Sequence, residues 1–155
     1  MKLCMVGTGY VGLVSGACFS DLGNSVICVD KDTQKINNLK KGIMPIYEPG
    51  LDELVKKNYR SGKLKFTSNL KESVLKSDII FICVGTPTKR NSNAADLTQI
   101  YKLAKEISKY VKKFKIIITK STVPVTTGDK IEKIISKKVS KKLFAIVSNP
   151  EFLRE

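Results

Sequence analysis

The chain has no histidine and no tryptophan, and of its 28 basic residues only Arg60, Arg90 and Arg154 are arginines. Without an imidazole, a Ser–His or Cys–His nucleophilic pair is excluded within the chain, and so is a metal site with a histidine ligand. The four cysteines, Cys4, Cys18, Cys28 and Cys83, never stand at C-x-x-C spacing, which removes the common zinc and dithiol motifs. Cys4, Cys28 and Cys83 each lie in a short apolar run and read as small buried hydrophobes, and no metal site is expected. No apolar run approaches the ~20 residues of a membrane span. Glycines break the apolar start and no small-residue cleavage site follows, so neither an anchor nor a leader is expected, and the expected location is the cytoplasm.

Acidic residues are scarce too: 14 against 28 basic ones, a net charge of +14. The excess sits almost wholly after residue 60. A basic half can bind nucleic acid, but base readout relies on arginine, and single-strand binding needs aromatics among the charges. Here the cations are nearly all lysine, and Phe and Tyr together number only 11. The reading is therefore solvated lysine faces and no nucleic-acid partner.

What is present is an alternation of short apolar runs and helical patterns. Strands are expected at Leu3–Val6, Ser25–Asp30, Lys65–Thr67, Ile79–Val84, Lys115–Thr119 and Phe144–Val147. Helices are expected from Gly9 to Leu22, closed by Gly23, and from Asp32 to about Lys41, closed by Gly42. A short helix should end near Tyr59, another should start in an Asn69/Glu72 capping box, and two more should cover Asp96–Val111 and Thr126–Val139. Leu97, Ile100, Tyr101, Ala104, Ile107 and Val111 share one face of the Asp96 helix, and Lys102, Lys105, Lys109 and Lys112 share the opposite, solvent face. Ile79–Val84 is continuously apolar, as a strand covered on both faces must be. The fold class is α/β: a Rossmann-type, doubly wound, mainly parallel six-stranded sheet in the order 3-2-1-4-5-6, with helices on both faces and residues 1–155 forming one domain.

Gly7-Thr8-Gly9-Tyr10-Val11-Gly12 fits G-x-G-x-x-G, follows a strand, opens a helix, and precedes Asp30 at the end of the second strand. In that context the pattern is the dinucleotide fingerprint. Gly7 serves the tight turn, Gly9 the approach of backbone to pyrophosphate, and Gly12 close packing of the helix. Asp30 can accept from the adenosine ribose hydroxyls and repels a 2′-phosphate, so the expected cofactor is NAD rather than NADP. Lys35, one turn further on, reads from spacing alone as an ordinary exposed lysine.

Ligands of open α/β sheets sit beyond the carboxyl ends of the strands. Three consecutive ends are polar: Gly85-Thr86-Pro87, Lys120-Ser121-Thr122-Val123-Pro124 and Ser148-Asn149-Pro150-Glu151-Phe152-Leu153-Arg154-Glu155. One alone would be turn chemistry; three together suit a nicotinamide ribose and a polar substrate.

These segments, with Ile46-Tyr47-Glu48-Pro49-Gly50-Leu51, resemble the NAD-binding domain of the UDP-glucose/GDP-mannose dehydrogenase family, in the family's order along the whole chain. The resemblance implies oxidation of a nucleotide-sugar primary alcohol to a carboxylate with two NAD⁺ in succession. It implies that Gly7, Gly9, Tyr10, Val11, Gly12, Asp30, Lys35, Gly85, Thr86, Pro87, Ser121, Thr122 and Glu155 bind NAD. Glu151, Phe152, Leu153, Arg154 and Glu155 would contact the sugar nucleotide, and Thr122 and Glu155 would assist catalysis by placing water and handling protons. The loops at Tyr47 and Thr122 favour UDP-glucose as substrate; GDP-mannose or a UDP-N-acetyl-hexosamine, or an NAD-binding module without catalysis, stay open. The family's nucleophilic cysteine belongs to a further domain and matches none of the four here, so the chain is expected to be part of a longer, homodimeric enzyme. Two departures from the family pattern are Thr126, where glycine is usual, and the Lys89–Asn93 loop.

Overall fold

The computed structural model describes residues 1–89 and 94–151. Six strands, β1 (Lys2–Val6), β2 (Ser25–Val29), β3 (Leu64–Thr67), β4 (Ile79–Ile82), β5 (Lys115–Thr119) and β6 (Phe144–Ser148), form one sheet in the order β3-β2-β1-β4-β5-β6. Every pairing is parallel, with Cys4 of β1 opposite Ile27 on one side and Ile80 on the other. Six helices connect them: α1 (Tyr10–Asp21), α2 (Thr33–Lys40), α3 (Leu51–Arg60), α4 (Leu70–Lys76), α5 (Thr98–Ser108) and α6 (Thr127–Ser136).

Alternation along the strands divides the core in two. Leu3, Met5, Val26, Cys28 and Phe81 pack with Leu13 and Ala17 of α1, Ile36 and Leu39 of α2 and Val55 of α3. Cys4, Val6, Ile80, Ile82 and Ile117 pack on the other face with Val74 of α4, Ile100, Ala104 and Ile107 of α5, and Ile131 and Ile135 of α6. Each fully buried Ile or Leu contributes roughly 1.5–3 kcal/mol relative to an exposed one. The first face thins out toward β5 and β6, where Ile116, Ile118 and Ala145 are half-buried and Val147 is exposed.

Element ends differ from the sequence pattern in instructive ways. β4 stops at Ile82, so Cys83 lies beyond the strand at its carboxyl end. α6 stops at Ser136 rather than Val139. Asp96 sits one residue before the cap position of α5, where its Oδ1 still accepts the Thr98 N–H at 2.9 Å. The Asn69 box is half-formed: Asn69 Oδ1 accepts the Glu72 N–H at 3.1 Å, but the Asn69 N–H goes to Thr67 Oγ1. Thr126, in place of the usual glycine, has φ −76°, a conformation open to any residue.

Gly16 carries a packing role that the glycine pattern did not announce. A Cβ there would stand 2.7 Å from Cys28 Sγ and 3.3 Å from Met5 Cγ, so α1 rests directly on β1 and β2. Gly16→Ala is expected to lower the unfolding free energy in urea by about 1–3 kcal/mol. Adding Cys28→Ala should return part of that loss, because the obstructing atom is a side chain; no return would place the contact elsewhere.

A candidate dinucleotide cleft at the switch point

β1 has β2 on one side and β4 on the other, and the chain leaves their carboxyl ends in opposite directions. At this switch point opens a cleft of about 520 Å³, floored by Val6, Gly7 and Gly9 and walled by Asp30, Lys35 and Val84. That volume lies in the range of small-molecule sites.

The three glycines have three separate duties. Gly7 has φ 103°, and a Cβ on it would lie 2.7 Å from the Cys83 carbonyl oxygen. A Cβ on Gly12 would lie 1.8 Å from the Gly7 carbonyl oxygen, so only glycine lets α1 begin this close to the ends of β1 and β4. A Cβ on Gly9 would meet nothing within 4 Å, so its bareness serves space in front of the backbone rather than packing behind it. Gly9 also caps α1 without a side-chain hydrogen bond, and the first turn holds no acidic residue. At the helix entry the Leu13 N–H donates back to the Gly9 carbonyl at 2.9 Å. A phosphate fits here on two counts, the orphan N–H groups and the helix dipole.

Asp30 stands just past β2, on the cleft wall. Its Oδ2 accepts from the Thr8 N–H at 3.0 Å, from Thr8 Oγ1 at 2.8 Å and from Lys35 Nζ at 3.3 Å, and its Oδ1 from the Asp32 N–H at 3.1 Å. Partial burial pushes the carboxyl up, but the donors of Thr8 and Asp32 and the Lys35 charge together outweigh it and hold Asp30 below the usual aspartate range. Asp30 is thus ionised at neutral pH. Lys35, read from spacing as ordinary, is ion-paired to it.

The other sequence-predicted residues fall into two groups. Val11 is half-buried on α1, whereas the Tyr10 side chain turns outward, its hydroxyl donating to Glu48 Oε2 at 2.7 Å. Gly85 lines the cleft and Pro87 is exposed beyond it. The strand-end loops do converge. Thr86 Oγ1 donates to the Thr122 carbonyl at 3.3 Å, Ser121 Oγ to the Val84 carbonyl at 2.6 Å, and Thr122 Oγ1 to the Glu151 carbonyl at 3.1 Å. Lys120 Nζ lies 3.0 Å from Glu151 Oε2, while Glu151 Oε1 is buried with no partner among the described residues. Phe152, Leu153, Arg154 and Glu155 lie outside the described residues, as does most of the Lys89–Asn93 loop.

Two expectations need correcting. Lys102 is not simply on a solvent face; it lines the cleft with Gln99 and Leu103 of α5. Cys83 is not in the body of the sheet; it lines the cleft at the end of β4. Burial pushes its thiol up to about 12, outweighing Lys120, so it remains protonated. Sequence reasoning missed Thr8, which carries no signal beyond standing between two glycines. It also missed Ser68 and Leu70, at the cleft's far wall, which the order of the sheet could have indicated because β3 borders β2.

Comparison with known proteins agrees with this geometry. The profile of the UDP-glucose/GDP-mannose dehydrogenase family, NAD binding domain, matches residues 1–155. A UDP-glucose 6-dehydrogenase of Rhizobium meliloti is 55% identical over 155 residues, covering 100% of this chain and 36% of that protein. The UDP-glucose 6-dehydrogenase TuaD of Bacillus subtilis is 49% identical, covering 99% of this chain and 33% of that protein. Among solved structures, a GDP-mannose dehydrogenase of Pseudomonas aeruginosa in a ternary complex superposes with a TM-score of 0.93 at 38% identity, covering 100% of this chain and 37% of that one. The chain thus spans about a third of the length of these relatives. The residues, the cleft they build and the matched profile lead to one conclusion: the chain belongs to the UDP-glucose/GDP-mannose dehydrogenase family, whose NAD-binding domain it carries.

Proposed function

We propose that this domain serves an enzyme that oxidises UDP-glucose to UDP-glucuronate, consuming two NAD⁺ and one water, and that its residues hold the cofactor rather than the covalent intermediate. The observation that carries the cofactor half is the pairing of an uncapped, glycine-floored α1 terminus with an ionised Asp30 across one cleft. Pyrophosphate would meet the free N–H groups, and Asp30 would accept from the adenosine ribose. When bound, NAD supplies the hydride acceptor. The substrate half is supported by the 55% identity to a protein named UDP-glucose 6-dehydrogenase. A GDP-mannose substrate is the second reading, favoured by the superposition on a GDP-mannose dehydrogenase.

The strand-end loops would lie at the nicotinamide end. Thr86 and Thr122, each donating to a neighbouring backbone carbonyl, still have acceptor lone pairs for a ligand hydroxyl. The unpartnered Glu151 oxygen suits a sugar hydroxyl, with Lys120 holding the carboxylate in place. Glu155 and the Phe152–Arg154 segment would contact the sugar nucleotide in the same proposal. The thiol chemistry would come from a residue outside this domain. Burial holds Cys4 and Cys83 near 12 and Cys28 well above the ordinary thiol value, so none offers a thiolate at neutral pH. The homodimer of the whole enzyme belongs to the same proposal. Among the described residues no helix is long and apolar enough to cross a membrane.

Three outcomes check this reading. Calorimetric titration of the chain should show NAD⁺ binding more tightly than NADP⁺, and Asp30→Ala should weaken NAD⁺ by roughly 10- to 100-fold, the range for a hydrogen bond to a charged group. Equal affinity for the two cofactors in the unaltered chain would remove Asp30 from the ribose. Iodoacetamide at pH 7.5 should label Cys18, the exposed thiol, and leave Cys4, Cys28 and Cys83 unmodified by mass spectrometry. Mixed with NAD⁺ and UDP-glucose, the chain should give no steady rise in NADH absorbance. Turnover surviving Cys→Ser at all four positions would place the nucleophile here after all.

A further inference from the structure

We infer that Thr8 is the positioning residue that sets the preference for NAD over NADP, by locking the Asp30 carboxylate in one orientation. The inference rests on the NAD-binding reading of the cleft.

Thr8 is the first variable residue of the glycine turn, and it is fully buried. It therefore touches no ligand, and any part it plays is through a neighbour. That neighbour is Asp30: both donors of Thr8, the backbone N–H and Oγ1, converge on Oδ2, at 3.0 and 2.8 Å. With Lys35 Nζ at 3.3 Å, Oδ2 has three donors, while Oδ1 has the Asp32 N–H alone. A carboxylate has about four lone-pair sites, two on each oxygen. Oδ2 is saturated and the open acceptor site is on Oδ1. Thr8 thus decides which oxygen is spent inside the protein and which is left for a hydroxyl.

The surroundings make that orientation consequential. Among the described residues, the charged groups lining the cleft apart from Asp30 are all cations: Lys31 beside it, Lys35 from α2 and Lys102 from α5; Asp32, at the start of α2, gives Asp30 its N–H. Three lysines would welcome a 2′-phosphate. Among the described lining groups Asp30 is the one that repels a 2′-phosphate, and with Lys35 paired to Oδ2 it is the orientation of Oδ1 that sets how its free side meets the ribose. The Thr8 backbone donor comes with the turn, whatever the residue. The hydroxyl comes only with Thr or Ser, so it is the replaceable half of the lock.

The test is a titration of NAD⁺ and NADP⁺ against the unaltered chain, Thr8→Val, Thr8→Ser, Asp30→Asn and Thr8→Val/Asp30→Asn. Thr8→Val keeps the shape and removes the hydroxyl; the ratio of NAD⁺ to NADP⁺ affinity should fall about tenfold, the order expected for one hydrogen bond to a charged acceptor. Thr8→Ser should restore the ratio to within about threefold of the original. Adding Thr8→Val to Asp30→Asn should change the ratio no further, because Thr8 acts only through the carboxylate. An unchanged ratio in Thr8→Val, or equal further loss in the double variant, overturns the inference and leaves NAD binding standing. Absence of any NAD⁺ preference in the unaltered chain overturns it together with the role of Asp30. Should Thr8→Val not fold, Thr8→Ala reads the same ratio.

Discussion

The contact on which the site depends is backbone against backbone: the Cα of Gly12 lies so near the Gly7 carbonyl that a Cβ would stand 1.8 Å from its oxygen. This closeness brings the first turn of α1 to the ends of β1 and β4, and thereby aims its free N–H groups across the switch point. Gly7 repeats the constraint from the other side, with the Cys83 carbonyl where its side chain would be. Side chains can yield to crowding by changing rotamer, but two backbone carbonyls held just past the ends of β1 and β4 cannot. The turn proposed to hold an anion is therefore fixed by the sheet itself, and a ligand would find its donors already in place rather than order them on arrival.

Electrostatics then gives the two ends of the cleft different characters. At the α1 terminus, partial positive charge comes from peptide dipoles and needs no side chain. At the opposite end, the Asp30 carboxylate stands among lysines, ionised because Thr8, Asp32 and Lys35 compensate its burial. Elsewhere the acidic residues are mostly spent on near neighbours: Asp52 with Lys56, Glu72 with Lys76, Asp78 with Lys113 and Glu106 with Lys109. Exposed pairs of this kind contribute about 0–1 kcal/mol each. The surplus of lysine is thus largely a property of the surface, and Lys102 matters because of where α5 places it, not because of the overall charge.

Much of the fold was legible because its signals are local and redundant. Lys115–Thr119 and Ser25–Val29 are apolar runs bounded by polar residues, and parallel strands buried on both faces leave no other reading. The stripe of Ile100, Ala104, Ile107 and Val111 repeats at helical spacing, and all four are buried. What was not legible required two distant segments at once. Thr8 looks like any hydroxyl between glycines until Asp30 is seen beside it. Gly16 looks like a helix-weakening residue until Cys28 and Met5 lie beneath it. Lys115 is indistinguishable in sequence from the other lysines, yet it is buried, with its ammonium donating to the Ser77 carbonyl at the end of α4. Lys102 was misplaced for the same reason: a helical wheel tells which residues face away from the core, not that the outward face borders a neighbouring cleft.

The division of labour in the proposed reaction follows from what this sheet edge can and cannot hold. Strand ends supply hydroxyls, carbonyls and the carboxylates of Asp30 and Glu151, groups suited to fixing a ribose or a sugar and to moving a proton. A thiolate nucleophile needs a partly exposed, electropositive place. The cysteine nearest that description is Cys83, which lines the cleft within reach of the Lys120 charge. Yet its carbonyl lies against Gly7 and its Cβ against Gly12, the residue is buried, and burial prevails over the lysine. The close packing that shapes the glycine turn thus also surrounds the cysteine that lines the cleft. In the proposed reaction the nucleophile would therefore come from elsewhere, to the open side of the cleft.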